Sequence, residues 1–583
     1  MTGPAPDRAF LGVESSLTGR RWIGPTGEED RLSEAMAQIT RLPLPLCRTL
    51  VRRGVVPEDA ERFLAPQLRD LLPDPLTLRD MGIAADRLLQ AVQSRQRIAV
   101  FGDYDVDGGA SSALLILWLR ALGLQATLYI PDRIDEGYGP NVPAMAALAR
   151  DHDLILCVDC GTLSHEPIAA AKGADVVVLD HHLGAETLPA ALAVVNPNRQ
   201  DEDGSLGHLC AASVVFLLLV EANRRLRAGG VQGPDLMGML DLVALATVAD
   251  VAPLIGVNRA LVRQGLKVMA RRERPGLVAL ADVARMDQAP NCYALGFLLG
   301  PRVNAGGRIG RADLGARLLA TDDAQEAISI AARLDELNTE RREIELRVRE
   351  AALAQAEARG LDGPLVWAAG EGWHPGVVGI VAARLKEATN RPAVVIGLEG
   401  GIGKGSGRSV SGVDLGAAVQ LLAAEGLLTR GGGPAAGRAA DDRGRHRTAG
   451  GPDRGGRPLW RIGPCPALCL CRSGGYRPAC RRNPSAAEPV RRDGATAGGH
   501  RLWRFRHGAG AGAVAARRAA VPSGRTAGNQ PLERPQQGAT APGRRRKSLT
   551  GNDLHEAARI VLRLYPASPK HRARQTVARS SIG

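Results

Sequence analysis

The chain has 583 residues, 45% of them apolar, which is enough to build cores and excludes wholesale disorder. No apolar run reaches the roughly 18 residues a membrane span needs, and the opening MTGPAPDRAF lacks the apolar stretch of a secretory signal. The net charge of +14 is divided unevenly, with residues 431–583 at +22 and residues 1–430 at −8.

Residues 1–75 read as a small helical lead-in, with helical spacing in PLPLCRTLVRRGV and PEDAERFLAP. From residue 76 the pattern becomes α/β. MGIAADRLLQAVQS is an amphipathic helix, RIAVFGDYD an apolar run ending in acids, and GGASSALLILWLRALG a helix closed by Gly123. TLYIPDR, LILCVDCG, ADVVVLDHH and ALAVVNPN read as strands, and NVPAMAALARD and HEPIAAAKG as helices between them. Helices at about 211–228 and 235–249 close this unit near residue 270. Short Val/Ile/Leu runs alternating with helices predict a parallel sheet covered on both faces. A long charged helix is predicted from Asp323 to Arg359, at the end of an interdomain segment 271–359. A second, smaller α/β domain follows over 360–433, with PLVWAAGEGW, the helix VVGIVAARLKEAT and the strand RPAVVIGLE.

Three predicted strands end in ligand-type side chains: Asp103, Asp105 and Asp107 after the first, Asp159 after the third, and Asp180, His181 and His182 after the fourth. In an open parallel sheet, groups at the carboxyl ends of the strands converge. Carboxylates gathered this way repel one another unless a cation sits among them. A carboxylate-rich set with few imidazoles suits Mn2+ or Mg2+, and a pair of such ions would clamp a phosphoryl group. The Asp-x-Asp-x-Asp-Gly spacing at 103–108 also opens a calcium loop, but the twelfth position is Leu114, not the Glu such a loop requires. The nine scattered cysteines read as reduced thiols of a cytoplasmic protein.

The ordered strings GDYDVDG, VDCGT, LDHH, NPN and DLVALATVADVAPL resemble the DHH phosphoesterase superfamily. The longer strings LGPRVNAGGRIGRADLGARLLATDD, EGWHPGVVGIVAARLKE and GIGKGSGRSVSGVDLGAAV resemble its bacterial exonuclease branch, over residues 20–433. The resemblance implies a hydrolase that removes 5′-mononucleotides from single-stranded DNA in the 5′→3′ direction, in DNA repair and recombination. It implies two divalent cations, Mn2+ preferred and Mg2+ tolerated, held by Asp103, Asp105, Asp107, Asp159, His181 and Asp250. Asp159 would bridge them, and Asp180 and His182 would assist beside the ligands. By the same resemblance the chain would be a monomer, with a single-strand-binding protein or a helicase as partner. Arg302, Asn304 and Arg308, together with Ser406, Arg408 and Ser409 in a GSGRS turn, are candidate phosphate contacts, since Arg grips phosphate and Gly lets backbone amides approach. An interdomain ion pair is the competing role for Arg302 and Arg308. Trp373 and His374 would line the groove, or Trp373 would pack. Two alternatives stay open: a small-substrate phosphoesterase and an inactive, truncated exonuclease.

The resemblance breaks off at Gly433, where Pro434 stands in place of an expected His. Residues 434–583 are rich in Arg, Gly, Ala and Pro and carry two Lys among thirty basic residues. That mixture is what GC-rich coding DNA gives in a shifted frame, so this tail is expected to be a frame-shifted, disordered segment. Its cysteines, Cys465, Cys469, Cys471 and Cys480, lack a zinc spacing.

Overall fold

The computed structural model describes residues 9–17, 21–133, 135–361, 363–410, 413–428 and 459–462, all within one compact unit. The expected disordered tail lies outside the described residues, apart from four of them.

The first sheet has five parallel strands: β1 (Ile98–Gly102), β2 (Ala126–Tyr129), β3 (Leu154–Val158), β4 (Asp175–Leu179) and β5 (Ala193–Val195). Their spatial order is β2-β1-β3-β4-β5, so the order reverses between β1 and β3. Strands β1 and β3 are buried along their whole length, as expected for a sheet with helices on both faces. On one face pack α1 (Val106–Ala121), α2 (Ala211–Ala228) and α3 (Leu240–Ala249), which is followed by α4 (Gly256–Met269). The opposite face has its own smaller core, built on Phe101, Ile155, Cys157 and Val178 with Met145.

The larger core runs on from Leu78 to Leu337 and does not stop at the expected boundary near 270. A π-helical turn, Ala294–Leu299, leads into α5 (Gly300–Ile309), and both pack into this first unit. The 36-residue helix α6 (Ala324–Arg359) joins the units: its first half, through Leu337, belongs to the first core, and Val348, Ala352 and Ala356 belong to the next.

The second sheet has β6 (Val366–Glu371), β7 (Ala393–Glu399) and β8 (Ile402–Arg408), with α7 (Pro375–Thr389) crossing between the parallel pair β6 and β7. Strand β8 runs antiparallel to β7. The expected GSGRS turn is therefore corrected: Gly405 to Arg408 are strand residues. Glycine in a strand marks close approach by a neighbour, and a Cβ on Gly407 would meet Leu415 Cδ2 at 2.6 Å. A fourth strand, Leu459–Ile462, pairs with β8 and lies beyond the expected end of this domain at 433.

Candidate metal centre

The reversal between β1 and β3 opens a crevice at the carboxyl ends of the strands, which is where such sheets bind ligands. The residues that follow β1, β3 and β4 all reach into it. Asp103, Asp105 and Asp159 bring one oxygen each to within 4.8 Å of one another, and so do the ligand atoms of Asp107, His181 and Asp250. His181 Nε2 lies 3.2 Å from Asp159 Oδ1 and 3.7 Å from Asp107 Oδ2, while its Nδ1 is 3.9 Å from Asp250 Oδ2. Asp159, His181 and His182 form a third such group, so Asp159 and His181 stand where the other two meet.

Local backbone chemistry fixes each ligand. Asp105 caps α1, accepting from the amides of Asp107 (3.0 Å) and Gly108 (3.3 Å). The loop folds so tightly that a Cβ on Gly108 would meet Asp103 O at 2.4 Å, so glycine is required there. Asp107 turns inward and receives the Ala211 and Ala212 amides, at 2.7 and 2.8 Å, from the first turn of α2. That helix end holds the carboxylate by hydrogen bonds and by its dipole. Asp159 has a positive φ of 59°, and so does Val251, at 58°, next to Asp250. Strained non-glycine backbone of this kind collects at functional sites. The Asn-Pro-Asn string braces the histidines: Asn196 donates to His182 O (2.8 Å) and Asn198 to His181 O (2.6 Å).

The electrostatics call for a cation. Burial first, then the neighbouring Asp105, pushes Asp107 up to about 7 despite its amide donors. Burial and the surrounding carboxylates of Asp107, Asp105, Asp103 and Asp250 raise Asp159 well above the usual range. Asp159 Oδ1 is buried and receives no hydrogen bond among the described residues, although an imidazole nitrogen lies 3.2 Å away. Burial, and then the charge of His182, lower His181 to about 4, which leaves it neutral and able to ligate. His182 behaves oppositely. Burial would lower it, but the Asp180 carboxylate 2.8 Å from its Nδ1 raises it to about 9. The same contact outweighs burial at Asp180 and holds that carboxyl well below its ordinary value. A crowded set of oxygen donors with one or two imidazoles fits Mn2+ or Mg2+.

The expected phosphate contacts divide. Arg302 is buried and paired with Asp335 on the first half of α6 at 2.8 Å, a contact within the first unit rather than between domains. Asn304 accepts the Val106 amide at 3.0 Å and positions the first acidic loop. Arg308, also buried, donates to Gly376 O at 3.2 Å and joins the two units. Ser406 is buried on β8 and accepts from Arg408 Nη1 at 3.1 Å, while the Ser409 hydroxyl donates to Val413 O at 2.7 Å. The Trp373 ring packs over Gly370, partly buried beside the second core. His374 caps α7, accepting the Gly376 amide at 3.0 Å.

Two contributors had no readable signal in the sequence. Tyr138, in the loop between β2 and the helix Val142–Asp151, places its hydroxyl 3.2 Å from Asp159 O and 3.3 Å from His182 Nε2. The amides that hold Asp107 belong to two alanines whose side chains carry no chemistry.

Comparison with known proteins agrees with this geometry. The DHH family, N-terminal domain, matches residues 97–247, and the DHHA1 domain matches 362–438. The single-stranded-DNA-specific exonuclease RecJ of Dickeya dadantii is 42% identical over 415 residues, covering 68% of this chain and 71% of the relative. The RecJ of Bacillus subtilis is 37% identical over 402 residues, 68% of this chain, and this chain spans only 50% of that relative's length. A crystal structure of exonuclease RecJ bound to manganese superposes with a TM-score of 0.55 at 37% identity, covering 62% of this chain and 89% of that one. The RecJ of Thermus thermophilus in complex with Mn2+ gives 0.59 at 33% identity, covering 70% and 57%. The resemblance read from the motifs is borne out.

Proposed function

The chain belongs to the RecJ exonuclease family of DHH phosphoesterases, and from that membership we propose that it hydrolyses single-stranded DNA from the 5′ end, releasing 5′-mononucleotides. The observation that carries the reading is the convergence of six candidate ligands, five following distant strands and Asp250 ending α3, into adjoining groups.

Asp103, Asp105 and Asp159 would hold one divalent cation and Asp107, His181 and Asp250 the other, with Asp159 shared. When bound, such a pair of cations acidifies water and neutralises charge building on a phosphate. The protein's own groups supply the rest. Neutral His181 offers Nε2 to the cation side, while protonated His182, charge-paired with Asp180, places a positive charge at the rim of the crevice. That charge would stabilise negative charge on the phosphodiester electrostatically, with its two N–H groups held by Asp180 and Tyr138. Tyr138 fixes the His182 ring from the other side. Arg408 and Ser406, on the second domain, are the remaining candidates for gripping a terminal phosphate. The reading also makes the protein a cytoplasmic participant in DNA repair and recombination. Among the described residues no helix is long and apolar enough to cross a membrane.

The test is a three-substrate assay. Mn2+-loaded protein receives 5′-labelled single-stranded DNA, the same sequence as duplex, and a dinucleotide. Release of mononucleotide from the single strand, abolished in Asp159→Ala, is the expected result. Cleavage of the dinucleotide alone would assign the site to small substrates, and no cleavage at all would make the chain an inactive member.

A further inference from the structure

The segment after Asp250 leads out of the crevice with Val251 and Ile255 exposed. It is flanked by two elements. On one side α4 begins at Gly256 and carries Arg259 and Arg263 one turn apart. On the other, the π-helical turn packs against the end of α3, so that a Cβ on Gly296 would lie 3.5 Å from Val248 Cγ1. Just before this turn and within it stand Tyr293 and Phe297, each 65% exposed, their rings stacked at 5.0 Å with planes 28° apart. The whole chain has six Phe and six Tyr, so a stacked pair left in water is a notable use of them. Single exposed apolar residues need no explanation; a contiguous aromatic face rimmed by charge marks a contact surface. π-helical turns, moreover, occur frequently at functional sites.

The rim is cationic. Arg53, from the lead-in, lies in the electrostatic neighbourhood of Arg259, as do Arg263 and Cys292, the residue before Tyr293. Among the described residues, none of these three arginines has a carboxylate within 4 Å. Arg259 instead sits over the Phe63 ring at 4.2 Å and donates to Phe63 O, and Arg263 donates to Pro66 O at 3.4 Å. Burial first, and then the charges of Arg53 and Arg263, hold the Arg259 guanidinium below its ordinary value, with Cys292 acting the other way. Flat aromatic faces beside uncompensated guanidiniums fit a ligand with flat bases and a repeating negative charge.

We propose that this surface is a strand subsite outside the metal crevice, where a base of single-stranded DNA stacks on Tyr293 and Phe297 and its neighbouring phosphates lie on Arg53, Arg259 and Arg263. Its continuity with Asp250 through the end of α3 favours the substrate strand over a protein ligand. The inference rests on the exonuclease reading for the identity of the strand.

The test uses the full chain and a 3′-labelled oligothymidylate of about 16 nucleotides, with binding followed by fluorescence anisotropy in the presence of a chelator. Tyr293→Ala/Phe297→Ala is expected to weaken binding about tenfold, and Phe297→Trp to keep it. Arg53→Ala/Arg263→Ala is expected to flatten the slope of log affinity against log salt by about 1.4, at about 0.7 for each phosphate left without its guanidinium. In Mn2+-loaded protein the aromatic double variant should raise KM for the long strand and leave trinucleotide hydrolysis unchanged. Unaltered strand binding in both double variants, with trinucleotide hydrolysis intact, overturns the subsite and leaves the exonuclease reading standing. Weakened strand binding in a protein that hydrolyses no DNA does the reverse. An acidic octapeptide that binds wild type and fails to bind the variants, with strand binding unaltered, overturns the subsite in favour of a protein partner.

Discussion

Asp159 and Asp107 are buried carboxylic acids that hold protons where ordinary aspartates do not. Their folded-state values are raised, so in the cation-free protein their burial costs stability as pH rises above the ordinary 3.8, through about 7 for Asp107, and Asp159 acts in the same direction. A cation displaces those protons. Mn2+ binding at pH 6 should therefore release protons, measurable by calorimetry in buffers of different ionisation enthalpy. The rise in melting temperature caused by Mn2+ should also grow between pH 5 and pH 7; a constant rise with no proton release would show that the carboxylates are already ionised. His182 has a different task, because its charge is fixed by Asp180. His182→Ala should keep cation binding and lower kcat by about 10- to 100-fold, the usual effect of losing a group beside the metal ligands. A loss of cation binding in that variant would make it a ligand.

Helix α2 illustrates an element working through its end. Its first two amides hold Asp107, and Cys210 before it is extended, a conformation compatible with a following proline. Proline is tolerated in the first turn of a helix, where it removes an amide that has no helical partner. Ala211→Pro should therefore leave the helix folded by circular dichroism, yet weaken Mn2+ binding about tenfold, the equivalent of one charge-assisted hydrogen bond. Unchanged affinity would show that the helix end is not needed to hold Asp107. This element also shows what the sequence conveyed and what it did not. Asp103, Asp105, Asp107, Asp159 and His181 were legible because each follows an apolar strand, and strand ends converge by topology alone. Asp250 was found only by resemblance, since a carboxylate ending an apolar helix has the same pattern as a simple cap. The Ala211 and Ala212 amides were not legible at all, because backbone donors leave no mark on residue type. For Arg302 the sequence left two roles open because a guanidinium suits a phosphate and a carboxylate equally well, and Asp335 lies 33 residues away on another helix.

At the scale of the molecule, α5 of the first unit and the second domain meet where α7 begins. Arg308 donates to Gly376 O, and a Cβ on Gly376 would press to 2.2 Å from Arg308 O. Only glycine allows that approach. Gly376→Ala should push the second domain away while leaving the six proposed metal ligands in place. We expect unaltered Mn2+ stoichiometry and hydrolysis of single-stranded DNA reduced by at least about tenfold, in line with the sensitivity of catalysis to displacements of about 1 Å. Full activity in this variant would mean that the second domain does not take part in cleavage.

The account depends most on one buried carboxylate shared by two cations. Titration of cation-free protein with Mn2+, followed by the electron paramagnetic resonance signal of the free ion, tests this directly. Wild type should remove two ions per chain, and Asp159→Asn should lose tight binding of both at once. Retention of both ions in that variant, or the absence of tight binding in the wild type, would contradict it.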